Sequence, residues 1–145
     1  MTVEGQEYSV DDLQVINAIE SVRARPEMYF RGGVYDPIGI ATWIAGEALN
    51  IGVGSVRIES KDGWFLVMAD DWLAGREAHA FTTLAAIPGA GPNSRYGEIL
   101  AVAFCRNVAT STSRGITSIK GTDIGPPAAF ALSRGRILAF DAVAE

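Results

Sequence analysis

Side chains able to do chemistry are sparse in this chain, and their spacing matches none of the common catalytic motifs. His79 is the only histidine and Cys105 the only cysteine; two such ligands cannot build a zinc site, which needs three or four. A surface or structural role is the expectation for His79. No Gly-x-Ser-x-Gly run seats a nucleophilic serine, and no Gly-x-x-x-x-Gly-Lys-Ser/Thr run cradles a triphosphate. Cys105 follows Val102, Ala103 and Phe104, the setting of a small buried hydrophobe rather than a thiolate. Trp43, Trp64 and Trp72 are spread along the chain and read as core, not as a stacking platform. Carboxylates remain. Glu47 stands three residues before Asn50, Asp70 and Asp71 are adjacent, and Glu98 follows Gly97 directly.

The elements that must position these groups are legible in outline. Ser9 and Asp12 have the spacing of a helix N-cap with an acidic first turn, and Val15, Ala18, Ile19 and Val22 recur as one apolar stripe. This predicts a helix over 10–25, stopped by Pro26. Asp36-Pro37 predicts a second helix start, with Ile40, Trp43, Ile44 and Ala48 as the buried face and Gly52 and Gly54 at its close. On that helix, over 37–50, Glu47 is expected to face water. Residues 55–60 and 64–69 then read as a hairpin about Lys61-Asp62-Gly63. Residues 86–95, rich in Gly and Pro, read as a loop, and Tyr96, Ile99, Leu100, Ala103 and Phe104 predict a third helix over 94–108. Strands are expected near 109–119, 127–133 and 136–142, the last two joined at Ser133-Arg134-Gly135. The order predicts an α+β chain: a two-layer sandwich with helices on one face of a mixed, mostly antiparallel sheet.

With 145 residues the chain fits one domain, and 48% hydrophobic with 20% charged residues is the composition of a folded protein. No apolar run approaches the roughly 20 residues that cross a bilayer, and the start MTVEGQEYS lacks the basic and apolar regions of a signal peptide. One cysteine allows no intrachain disulfide, so a reducing cytoplasm is the expected setting. Twelve basic against 17 acidic residues give a net charge of −5, and the densest basic cluster is Arg23 with Arg25. That balance disfavours direct nucleic-acid binding.

Residues Tyr8 to Tyr29, YSVDDLQVINAIESVRARPEMY, carry a resemblance. They are similar, without a gap, to the opening of the N-terminal ATPase domain of DNA gyrase B and topoisomerase IV, where a tyrosine precedes a helix ending in V-R-x-R-P-G-M-Y-I-G. Val22, Arg23, Arg25, Pro26, Met28 and Tyr29 match; Glu27, Phe30 and Arg31 replace a glycine, an isoleucine and a glycine. The resemblance implies the GHKL, or Bergerat, fold over residues 1–145, with residues 86–95 as a shortened ATP lid. It also implies the position of the chemistry. Asp71 matches the aspartate that receives the adenine amino group, within Asp71-Trp72-Leu73-Ala74-Gly75, where the family has Asp-x-Gly-x-Gly. Gly75 is kept; Leu73 replaces the middle glycine and adds a side chain where the backbone approaches the ligand. Asp70-Asp71 reads equally as a plain strand-end turn.

The ATPase residues themselves are missing. The family sets a glutamate and an asparagine four residues apart on the second helix, to orient water and to hold the metal. Those positions fall near Gly39–Ala41 and Trp43–Ala45, and Glu47 and Asn50 lie too close to the hairpin to replace them. At the third helix Gly97 is the one glycine near the phosphate-binding start, and Glu98 beside it is expected to repel a triphosphate and to satisfy the helix end itself. The expectation is a degenerate, non-catalytic GHKL domain, a protein-binding or dimerisation module without cofactor or metal. A nucleotide-binding protein or weak ATPase using ATP and Mg is the alternative, with Tyr8, Asp71, Gly75 and Gly97 as its binding residues. A monomer or weak homodimer indifferent to nucleotide is expected, with an unidentified protein partner.

Overall fold

A computed structural model of the chain describes residues 2–3, 6–7, 10–70, 72–73, 77–84, 87, 95–112, 115–123 and 135–141. The chain is α+β. A short ladder of β1 (Thr2–Val3) and β2 (Gln6–Glu7) precedes α1 (Val10–Arg23), a 3-10 turn at Pro26–Met28 and α2 (Pro37–Asn50). Then come β3 (Arg57–Lys61), β4 (Trp64–Ala69), the single turn α3 (Glu77–Ala80), α4 (Glu98–Phe104), β5 (Val108–Thr112), β6 (Gly115–Lys120) and β7 (Arg136–Asp141). The five-stranded sheet has the order β3-β4-β7-β5-β6, and all four neighbouring pairs are antiparallel rather than mixed. Among the described residues, no helix is long and apolar enough to cross a membrane.

Local chemistry explains the boundaries of α2. Asp36 is extended and its Oδ1 accepts the Ile38 amide at 3.1 Å, while Pro37 occupies the first turn, where no amide is needed. At the far end Gly52, with φ of 106°, donates to Leu49 O and Val53 donates to Ala48 O. That is a Schellman close, which satisfies two carbonyls the helix cannot. The β3–β4 hairpin is equally local. Asp62 and Gly63 both have positive φ and Lys61 pairs with Trp64, the two-residue turn whose twist suits a hairpin.

Two expectations are corrected. The third helix runs over 98–104 and not 94–108, because Gly97 is pressed against α2 and Cys105 turns extended. The stretch 109–119 is not one strand but the β5–β6 hairpin, in which Thr112 pairs with Gly115. A strand at 127–133 lies outside the described residues; β7 itself has β4 on one edge and β5 on the other.

The main core lies between the helices and one face of the sheet. Val67, Val108, Leu138 and Phe140 meet Val22, Ile40, Ile44, Ala48, Ile99 and Leu100 there. The opposite face is also buried, at Trp64, Leu66, Met68, Ile137 and Ala139. The motif at the end of α1 fastens it to α4. Arg23 Nε donates to Ala103 O at 2.8 Å, and Phe30 meets Phe104 edge-on at 5.0 Å between ring centres. A cation on the last carbonyls of a helix is favourable both as a hydrogen bond and against the dipole.

Candidate functional site

The most concentrated polar chemistry among the described residues lies inside the core, where α2, α4 and β7 meet. Ile40, Ile44 and Ala48 turn one face of α2 inward, and Glu47, one helical turn beyond Ile44, goes with them. Glu47 is 3% exposed, so its expected place in water is corrected. Its Oε1 accepts the Gly97 amide at 2.9 Å and its Oε2 accepts Trp72 Nε1 at 3.2 Å. Burial is the first cause that raises its carboxyl, to about 9, and the neighbouring Glu98 carboxyl adds to it. The Gly97 amide and Arg136 act in the opposite direction.

Glu98 is fully buried and does not meet solvent at the start of α4. Its Oε2 lies 3.3 Å from Arg136 Nη1, and both side chains have no exposed surface. Arg136 arrives from the first position of β7, on the sheet face that bears Leu138 and Phe140. Its Nε donates to Thr110 Oγ at 3.1 Å, and Thr110 in turn donates to Ile137 O. The guanidinium carbon lies 4.4 Å from the Trp72 ring centre and 5.8 Å from that of Phe81. Stacking on an indole suits a desolvated arginine, whose planar cation is weakly hydrated. Two atoms stay unmatched: Glu98 Oε1 meets no N–H or hydroxyl donor, and Arg136 Nη2 meets no acceptor.

The expected roles of Glu98 and Gly97 change accordingly. The carboxylate that covers the start of α4 comes from Glu47, fifty residues away, and not from Glu98. Glu98 is the counter-charge of a buried arginine. Gly97 has an ordinary helical φ of −70°, and its value lies in closeness: a Cβ there would stand 2.6 Å from Ile44 Cγ1 and 3.2 Å from Ile44 N. Leu73 is buried with φ of 60°, the left-handed region that glycine adopts freely and leucine does not. Tyr8, Asp71 and Gly75 lie outside the described residues.

No family model, curated protein or solved structure matches the chain.

A second polar cluster joins the 31–36 loop to the sheet. Tyr35 hydroxyl lies 3.3 Å from Cys105 Sγ and donates to Asp141 O at 3.1 Å. Asp141 Oδ1 accepts the amides of Arg106 and Asn107, and Oδ2 accepts Asn107 Nδ2. Burial pushes the Cys105 thiol up to about 12, and burial with the nearby thiol pushes the Tyr35 hydroxyl well above its ordinary value. Cys105 is thus a buried, protonated thiol, as its apolar setting implied. His79 is exposed, and its ring stands nearly perpendicular to that of Tyr96. Trp64 and Trp72 are buried and Trp43 is half-buried, with its Nε1 donating to Arg95 O at 3.0 Å. Among the described residues no group of three His, Cys, Asp or Glu is placed to hold a metal ion.

Sequence reasoning missed the cluster of Glu47, Glu98, Arg136 and Thr110 as a unit. A signal for one member existed. Glu47 stands at i+7 from Ile40 and i+3 from Ile44, squarely on the apolar stripe of α2.

Proposed function

We propose that the chain is a non-catalytic relative of the GHKL ATPase domain and acts as a protein-binding or dimerisation module. One observation carries this reading: Glu47, the sole carboxylate among the fourteen residues of α2, is held in the core by Trp72 and Gly97. Orienting water for attack on a phosphate needs a carboxylate that reaches an open site. A carboxylate fixed by two donors and buried to 3% exposure has no such reach. The same contact uses the Gly97 amide, a donor that a phosphate at this helix start would require.

The family part of the reading is supported by the order of elements: two helices, a hairpin, a helix and then strands of one sheet. It is supported also by Leu73, whose backbone keeps a conformation natural to glycine at the place where the resemblance has one.

Nucleotide binding without turnover is the second reading, and a cleft favours it. A space of about 420 Å³ lies between α1 and residues 79–84, lined by Gln14, Val15, Ala18, His79, Thr82 and Leu84 among others. That is within the size of small-molecule sites. Its described lining holds no lysine or arginine to meet a phosphate. Titration calorimetry of the purified protein with ATP and Mg²⁺ separates the readings. The module reading expects no saturable heat and no change in sedimentation with a non-hydrolysable analogue. Submicromolar binding, or dimerisation driven by the analogue, would establish the second.

A further inference from the structure

We propose that Glu47 and Glu98 hold a single proton between them at neutral pH, and that this proton latches the start of α4 to α2. The count of charges requires it. Two carboxyl groups and one guanidinium share a volume closed to solvent, and an unbalanced charge there is far costlier than a neutral acid. With one proton retained, the Arg136 cation and one carboxylate cancel. Without it the core carries a net negative charge.

The geometry assigns the proton's place. Glu98 gives Oε2 to Arg136, which leaves Oε1 without any N–H or hydroxyl donor. An acid proton from Glu47 is the donor that this oxygen lacks, and Glu47 already reaches the Gly97 amide, one residue before Glu98. The groups facing Glu47 are few. Glu98 faces it from α4, Arg136 from β7, and the Trp72 indole and Gly97 amide donate to it; no other charged group among the described residues acts on it. The raised carboxyl of Glu47 agrees with this placement.

The proton is therefore coupled to the fold through Gly97. Hydroxide in solution removes it at high pH, as water, and leaves two carboxylates facing one guanidinium. The repulsion falls between α2 and α4, at the bond that the Gly97 amide donates to Glu47. The latch then opens at the start of α4 while the β4–β7 ladder, at the centre of the sheet, holds.

Carbon-13 NMR of the glutamate side-chain carboxyls reads the proton directly. One glutamate should stay protonated at pH 7 and titrate several units above the rest, and that signal should vanish in Glu47→Gln. Glu98→Gln should lower the midpoint by at least two units, since the remaining carboxyl then becomes the partner of Arg136; this variant serves if Glu47→Gln does not fold. Amide exchange reads the latch. After division by the intrinsic rate, protection of the Gly97 amide should fall at least tenfold between pH 7 and pH 10, with the β4–β7 amides unchanged. If every glutamate is deprotonated by pH 6, the shared proton is overturned. If Gly97 protection is constant through the carboxyl's midpoint, the latch is overturned.

Discussion

Glu47 Oε1 and the Gly97 amide nitrogen stand 2.9 Å apart, although the two residues are fifty positions apart in the chain. The bond joins the last turn of α2 to the residue before α4, and the same approach leaves no room for a Cβ at position 97. One position thus supplies both a donor and a close contact between backbones. A ligand role for Gly97 competes directly with this packing role, so the two make different predictions.

Gly97→Ala is expected to destabilise the fold by about 1–3 kcal/mol, the usual cost of forcing a methyl group into a filled site. Urea unfolding measures it. Ile44→Ala removes the nearest obstructing atom, so the double variant should lose less than the sum of the two single losses. Strict additivity would show that Gly97 and Ile44 do not press on one another.

Arg136 is the most exacting residue of the cluster. Arg136→Met leaves Glu98 charged and unpaired in the core, and a loss of about 3–5 kcal/mol is expected, as for other broken buried pairs. Arg136→Met combined with Glu98→Leu removes both charges and should be more stable than Arg136→Met alone. Denaturant midpoints of the three proteins decide this. A combined variant weaker than Arg136→Met would mean that Glu98 contributes by packing and not by charge.

What can be read from the sequence is local. Asp36-Pro37, Gly52 and Asp62-Gly63 each fix a turn through their own backbone chemistry, and each stands where the sequence places it. The hairpin of β5 and β6 escapes such a reading, although Ser113-Arg114-Gly115 repeats the tripeptide Ser133-Arg134-Gly135 that reads as a turn. Alternating Thr and Ser residues on both sides conceal it, since they fit one long strand as well as two short ones. The candidate site is less legible still. A glutamate on an apolar stripe is ordinarily assigned to water, because nothing nearby in sequence offers it a partner. The partners of Glu47 come from positions 72, 97, 98 and 136, which only the tertiary fold assembles.

Cys105 is fully buried, and its thiol is pushed up to about 12. Only the thiolate reacts, so at pH 8 alkylation of the native protein should be slower than that of the urea-unfolded chain by roughly a thousandfold or more. Mass spectrometry of timed iodoacetamide reactions gives both rates. Comparable rates in the two states would place Cys105 at an accessible surface, contrary to its contact with the Tyr35 hydroxyl.

The last prediction concerns stability against pH and follows from the sign of the Glu47 shift. Its folded carboxyl is raised to about 9, above an ordinary value of 4.5. Between those values the folded protein binds a proton that the unfolded chain has released, so stability must fall as pH rises. The contribution is complete below about pH 4.5 and is lost through pH 9, with a slope of at most about 1.4 kcal/mol per pH unit from this one proton. Other carboxylates tilt the curve at the acid end, so the difference between the wild type and Glu47→Gln is the quantity to measure. The amide of glutamine stays neutral at every pH and keeps acceptor capacity for Gly97 or Trp72. Urea midpoints of the two proteins should therefore converge as pH rises from 5 to 9 if the wild type begins higher, and diverge if it does not. A wild-type curve parallel to that of Glu47→Gln over this range would mean that Glu47 is ionised in the folded protein, with Arg136 serving both carboxylates.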